Sequence, residues 1–221
     1  MTIDEKLKAF FEGKKVVILG FGREGRSTLK LLGNCNCKSI TVADMKPVPE
    51  SEAEGCTLCC GEDYLTCLDD CDVIMKAPGV ILKNIVSDEI KAKITSQTDL
   101  FLRFCDNMII GITGTKGKST TSSLIKFFIE KSGKNTMLIG NIGVPPLERR
   151  EEFTKDCVIV CEMSCHQLEY VKASPDVAVL LNVYPEHLDH YADFAAYRSA
   201  KLNIFRYQNE NDALIIGEEV K

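Results

Sequence analysis

Between residues 111 and 120 the chain reads Gly111-Ile112-Thr113-Gly114-Thr115-Lys116-Gly117-Lys118-Ser119-Thr120. The apolar residues Met108-Ile109-Ile110 precede this run, and a helical pattern from Thr121 to Lys131 follows it. A glycine turn between a strand and a helix points backbone N–H groups at anionic oxygens, and the helix N-terminus adds its partial positive charge. Lys118 is placed to reach outer phosphates, and the hydroxyl of Ser119 or Thr120 to hold magnesium. The residue five positions before Gly117 is Ile112, so the loop is the short form that runs from Gly114 to Ser119. A turn that merely joined strand to helix would not need glycine, glycine, lysine and serine together at this place. The expected chemistry is phosphate binding.

A second glycine run follows Lys15-Val16-Val17-Ile18-Leu19. Gly20, Gly22 and Gly25 form G-x-G-x-x-G between a predicted strand and a predicted helix, and Asp44 closes the next strand. Such glycines let the backbone approach a pyrophosphate, and the acid can meet a ribose hydroxyl. The pattern indicates a nucleotide diphosphate group without specifying a nicotinamide.

Three further clusters follow predicted strands, where open α/β sheets keep their sites. They are Gly140-Asn141-Ile142-Gly143, the run Glu162 to Glu169 (Glu-Met-Ser-Cys-His-Gln-Leu-Glu), and the run Asn182 to His190. Glu162 and His187 are candidate magnesium ligands, although imidazole is a less usual partner for magnesium than a carboxylate. Lys201 lies in a predicted helix, where spacing alone reads as a solvated surface charge.

Positioning these groups takes alternating strands and helices. Predicted strands are Lys15–Leu19, Ser39–Ala43, Thr57–Cys60 and Asp72–Lys76, then Met108–Ile112, Thr136–Ile139, Val158–Glu162, Val177–Leu181 and Ala213–Ile216. Helices are expected after Gly25 to about Leu32, near Tyr64–Leu68 and Ile85–Lys93, and after the second glycine loop. The alternation implies parallel sheets covered by helices. The fold class is α/β: a Rossmann-like first domain over residues 1–105, then a P-loop-type domain over 106–221.

The chain has 221 residues, 45% hydrophobic and 27% charged, with a net charge of −5. That length accommodates one large domain or two modest ones. No apolar run approaches a membrane span. The balance and the lack of a basic stripe argue against a general nucleic-acid binder. The N-terminus lacks a secretory pattern, so the 11 cysteines read as reduced thiols in a cytoplasmic protein. Among them, Cys56, Cys59, Cys60, Cys67 and Cys71 crowd one region with a C-x-x-C spacing. No histidine or second C-x-x-C completes a metal pattern, and these residues read as small buried hydrophobes.

Taken together, the motifs resemble the Mur ligase family, the ATP-dependent amide ligases of peptidoglycan assembly, over essentially the whole chain. The resemblance implies that Gly114, Thr115, Lys116, Gly117, Lys118, Ser119 and Thr120 bind ATP. It implies that Ser119, Glu162, His187 and Lys201 hold magnesium, with Lys201 carbamylated so that a cation becomes an oxygen ligand. Lys118, Glu162, His187 and Lys201 are then the catalytic set. Ala77-Pro78-Gly79-Val80, Gly140-Asn141-Ile142-Gly143 and Ser164-x-x-Gln167-Leu168-Glu169 resemble the branch that adds D-glutamate to UDP-N-acetylmuramoyl-L-alanine. His166 instead matches the diaminopimelate- or lysine-adding branch. The glycine run of the first domain would hold UDP, with Gly22, Arg23, Glu24, Asp44, Lys46 and Gly79 facing it, and Asn141, Ser164 and Gln167 would orient the substrate. The implied protein is a cytoplasmic monomer with no nucleic-acid or membrane partner. Family members carry a third domain that supplies the amino-acid site, so a chain ending at Lys221 is expected to be an incomplete, inactive portion. Two other readings stay open. One is a nicotinamide-dependent oxidoreductase, which leaves the second loop unexplained. The other is a nucleotide-binding module without catalysis.

Overall fold

The computed structural model describes residues 1–82, 86–141, 144–187 and 189–220. The chain divides into two compact units, Met1–Gln97 and Thr98–Lys221.

The first unit opens with helix α1 (Ile3–Phe11), which buries Leu7 and Phe11, one turn apart. Its start is fixed by a capping box in which Thr2 and Glu5 satisfy each other's backbone N–H groups. Strand β1 (Lys15–Leu19) is buried from Val16 onward. Helix α2 (Arg23–Leu32) follows and turns Gly25, Thr28, Leu31 and Leu32 inward. Strands β2 (Ser39–Asp44), β3 (Thr57–Cys60) and β4 (Val73–Lys76), the short helix α3 (Asp88–Lys93) and strand β5 (Ile94–Thr95) complete the unit. The sheet is parallel, in the order β3-β2-β1-β4-β5. The order reverses beside β1, which opens a crevice at the carboxyl ends of the strands.

The second unit takes in helix α4 (Gln97–Phe104) from Thr98 onward, then strand β6 (Ile109–Thr113), helix α5 (Lys118–Lys131) and strand β7 (Thr136–Gly140). Strand β8 (Val158–Glu162), helix α6 (Cys165–Leu168), strand β9 (Val177–Leu180), helix α7 (Phe194–Arg206) and strand β10 (Ala213–Ile216) follow. This sheet is also parallel, in the order β10-β9-β6-β8-β7. Ile112, Val160 and Val179 form its buried centre, with Ile125 and Ile129 packed against them. Because every strand runs the same way, the loops after β6, β7, β8 and β9 all leave one edge of the sheet.

The α/β class with two parallel sheets is as expected, and three local expectations change. The segment Tyr64–Leu68 forms only a 3-10 turn, Thr66–Leu68. The helix expected over Ile85–Lys93 is α3, which starts after Ser87, whose hydroxyl accepts from the N–H of Ile90 at 3.3 Å; Ile85 lies outside the described residues. The cysteine run is not uniformly buried. Cys71 is, but Cys56, Cys59 and Cys67 are half-buried and Cys60 is exposed. Helices α1 and α4 and strand β5 were not foreseen.

Candidate functional site

In the first unit, a cavity of about 740 Å³ opens beside β1. Gly22, Arg23, Glu24, Asp44, Lys46 and Gly79, the residues expected to face a diphosphate, all line it. The turn after β1 is built by glycine. Gly20 takes φ +92°, and a Cβ on Gly25 would lie 2.2 Å from the carbonyl oxygen of Gly20. Only glycine lets α2 start so close to the strand. Asp44 pins this turn. Its Oδ2 accepts from the N–H of Phe21 at 2.7 Å, and its Oδ1 from the N–H of Lys46 at 2.8 Å. Arg26, one turn into α2, donates to Glu52 at 2.8 Å and stacks over the Phe21 ring at 4.9 Å, which braces the cavity wall.

Burial pushes the Glu24 carboxyl up from 4.5 to about 7, against the opposing pull of the Gln97 N–H and the Lys76 charge. The folded protein therefore holds a proton on Glu24 that the unfolded chain releases. That contribution to stability is fully present below pH 4.5 and is lost as the pH rises through about 7. Glu24→Gln is expected to remove this slope. At pH 8 the variant should be the more stable by at most about 3 kcal/mol, less whatever solvent reaches the carboxyl's open edge. Chemical denaturation at pH 5 and pH 8 measures it; equal slopes in both proteins would show Glu24 to be an ordinary carboxylate.

In the second unit the sheet edge gathers the other expected residues. The loop from Gly114 to Gly117 joins β6 to α5, with Gly117 at φ +86°. Lys118 folds back and donates to the carbonyls of Gly114 at 3.0 Å and Thr115 at 3.1 Å. Lys201 donates to the same Gly114 carbonyl at 2.9 Å. Two ammonium groups thus meet at one loop oxygen. Lys201 is 2% exposed, which overturns the reading of it as a solvated surface charge. It shares the inward stripe of α7 with Tyr197, Ala200 and Ile204. Burial, reinforced by the charge of Lys118, lowers its pKa to about 8. That stripe, at i, i+3, i+4 and i+7, was the sequence signal that places Lys201 inside.

Glu162 ends β8 and is 1% exposed. Its Oε1 accepts from the side-chain amide of Asn141 at 2.8 Å, so Asn141 holds the carboxylate. Its Oε2 is buried with no hydrogen-bond partner among the described residues. A buried carboxylate oxygen left in this way has the chemistry a hard cation requires, so Glu162 fits a magnesium ligand. Ser119 and Thr120 stand exposed in the first turn of α5.

Not every expected ligand side chain points outward. The Thr115 hydroxyl is buried, bonded to the Tyr197 hydroxyl at 2.9 Å and to the N–H of Tyr184 at 2.9 Å. Lys116 pairs with Glu186 at 3.3 Å. Ser164 and Gln167 satisfy each other in the capping box of α6. Asn182 clamps the loop, with its Oδ1 accepting from the N–H of Lys116 at 2.9 Å and its amide donating to the Lys116 carbonyl at 3.1 Å. Sequence reasoning found Asn182 as part of a motif but not this role, nor the part played by Tyr197. His187 is exposed and takes φ +56°, and its carbonyl accepts from the N–H groups of His190 and Tyr191, each at 3.1 Å. The His166 ring packs against His187 at 4.9 Å and His190 at 4.3 Å, which gathers the chain's histidines in one place. Ile142, Gly143 and Leu188, which belong to the expected motifs, lie outside the described residues.

One feature is common to both glycine loops. Helices α1, α3, α6 and α7 carry side-chain caps from Thr2, Ser87, Ser164 and Asp193. Helices α2 and α5 begin at Gly22 and Gly117 with no side-chain cap. Their first-turn N–H groups keep their capacity for an anion.

Two parallel α/β units and an ordered set of loops at one sheet edge agree with the family likeness, for the Mur ligase middle domain matches residues 112–221. The chain belongs to the Mur ligase family. It is 36% identical to UDP-N-acetylmuramoylalanine--D-glutamate ligase of Clostridium botulinum, covering 97% of this chain and 49% of that enzyme. The Clostridium kluyveri enzyme of the same name is 34% identical over the same shares. The chain thus spans about half the length of the curated relatives it matches. Among solved structures, MurF from Acinetobacter baumannii covers 95% of this chain and 42% of its own, with 15% identity and a TM-score of 0.44, too distant to carry weight. No helix among the described residues is long and apolar enough to cross a membrane.

Proposed function

We propose that this chain binds the UDP group of UDP-N-acetylmuramoyl-L-alanine in its first unit and magnesium–ATP at the loop of its second. It would serve a ligase that joins the substrate carboxylate to the amine of D-glutamate through an acyl phosphate. The observation that carries this reading is the pair of uncapped helices, each starting at a glycine turn. One stands beside a cavity of about 740 Å³ and the other beside two converging lysines. Each offers backbone N–H groups where a phosphate needs donors.

The residues then take definite roles. Lys118 leaves the Gly114 carbonyl and donates to the outer phosphate oxygens, where it offsets charge in phosphoryl transfer. Lys201 is held at the same carbonyl, buried and with its basicity lowered, in a state from which its neutral amine can take up carbon dioxide as a carbamate. Glu162, the carbamate of Lys201, His187 and the Ser119 hydroxyl would hold magnesium, and Asn141 keeps the Glu162 carboxylate turned correctly. Bound there, magnesium supplies Lewis-acid neutralisation of phosphate charge. Asn182 fixes the loop that makes these contacts. In the first unit Asp44 sets the turn, so that the N–H groups of α2 face the diphosphate.

Calorimetric titration with UDP and with NAD tests the reading of the first unit. UDP is expected to bind at least tenfold more tightly; tighter NAD binding would favour an oxidoreductase cofactor site and defeat the proposal.

A further inference from the structure

We infer that Cys59 and Cys67 form a redox-modification site, a thiol pair that a peroxide converts to an intramolecular disulfide. Cys59 lies in β3 and Cys67 in the 3-10 turn that follows. Their sulfurs share one acceptor. Cys59 Sγ donates to the Tyr64 carbonyl at 3.5 Å, and Cys67 Sγ donates to the same oxygen at 3.4 Å. Two half-buried thiols are brought to one carbonyl by a tight turn, so their sulfurs lie no more than about 7 Å apart, and side-chain rotation can bring them to bonding distance. Neither serves as a core hydrophobe, and neither takes part in the phosphate chemistry above. Among the described residues no group of three or more His, Cys, Asp or Glu is arranged to hold a metal ion, so a thiol pair is the chemistry this arrangement favours.

The order of events follows from the surroundings. Burial, together with the neighbouring Cys59, pushes the Cys67 thiol up to about 12, which favours its protonated form and makes it the later of the two sulfurs to react. The Cys59 thiolate attacks one oxygen of hydrogen peroxide. The S–O bond forms, the O–O bond breaks, and hydroxide leaves and takes a proton as water. The Cys67 sulfur, losing its proton, then attacks the Cys59 sulfenic sulfur. The S–S bond forms, the S–O bond breaks, and a second water leaves. The two thiols lose two electrons and the peroxide is reduced to two waters. A dithiol reductant reverses the product by exchange. The link also removes both S–H donors from the Tyr64 carbonyl, and Tyr64 lines the cavity of the first unit.

The test exposes the folded chain to a small excess of hydrogen peroxide, blocks remaining thiols by alkylation, and maps linkages by mass spectrometry. Cleavage after Glu62 or Tyr64 separates the two cysteines, so that only a disulfide keeps the fragments joined. Tandem fragmentation tells Cys59 from Cys60 and Cys67 from Cys71. The Cys59–Cys67 link is expected to dominate, to form at least tenfold more in the folded chain than in urea, and to disappear on reduction. Cys59→Ser and Cys67→Ser should each abolish it, whereas Cys60→Ser should leave its yield unchanged. A dominant link through Cys60 or Cys71, an equal yield in urea, or no link overturns the assignment. The result is independent of whether the cavity binds a nucleotide.

Discussion

Lys118→Ala is expected to weaken magnesium–ATP binding about 10- to 150-fold, the value of a hydrogen bond to a charged group lost in a partly buried site. No small molecule should restore it. Lys118 works as a cation at the start of α5, and an added amine would not be held between the Gly114 and Thr115 carbonyls. Lys201→Ala should lose ligase activity by a comparable or larger factor, for a different reason. The proposed carbamate carries the opposite charge and supplies oxygens to magnesium, so acetate or formate in the buffer can enter the vacated space and restore part of the activity. Titration with magnesium–ATP measures the Lys118→Ala effect on binding, and both variants are to be assayed by phosphate release in the full-length form of the proposed ligase. A purely structural Lys201, held by its bond to the Gly114 carbonyl at 2.9 Å and its place over the Tyr197 ring, would give a variant that no carboxylate rescues. Carbon-13 bicarbonate gives a second readout, because a carbamate signal should appear in the parent and be absent from Lys201→Ala.

The second large effect is expected at the turn after β1. Gly25→Ala should cost about 3 kcal/mol or more, because its Cβ would sit 2.2 Å from the Gly20 carbonyl oxygen and 3.4 Å from an Ile18 methyl. Backbone atoms cannot yield as the end of a long side chain can, so α2 must move off the sheet. Gly22→Ala is the matched control. No atom of the described residues lies within 4 Å of a Cβ at Gly22, and its φ of −76° suits any residue. It should leave stability within about 0.5 kcal/mol, as a surface substitution does. It should still weaken UDP binding, because the methyl group stands where the diphosphate must approach the backbone. Urea denaturation of both variants separates the roles, and the two compact units call for a probe that reports on the first unit alone. Equal stability of Gly25→Ala and the parent would mean that the turn has enough slack to take the methyl group.

These expectations rest on features that differ in how far the sequence alone revealed them. Gly20-x-Gly22-x-x-Gly25 and Gly114 to Ser119 were legible because phosphate-binding turns are local. A strand, a few glycines and a helix start lie within a dozen residues, and the residue types are set by backbone geometry. The strands were legible for a similar reason, since fully buried parallel strands such as Val16–Leu19 are continuous apolar runs. Helix α1 is equally local, with Thr2 and Glu5 forming a capping box, but only Leu7 and Phe11 mark its buried face in a stretch of mixed composition. The cysteines misled because burial is not a property of residue type. Cys60 and Cys71 look alike in sequence, yet one is exposed and the other buried.

What the sequence determined by itself was therefore the α/β class, the strands other than β5, the two glycine turns and the residue types able to meet phosphate and metal. Only the tertiary structure decided which of those side chains remain available. It turned the Thr115 hydroxyl inward to Tyr197, gave Asn141 to Glu162, and buried Lys201 against the Gly114 carbonyl. The physical reason is that hydrogen-bond partners and burial depend on contacts between residues far apart in the chain. Asn141 meets Glu162 across adjacent strands, and Lys201 meets Gly114 because α7 packs beside the loop that follows β6. Spacing along a chain does not encode such pairings, whereas packing of the sheet and its helices fixes them.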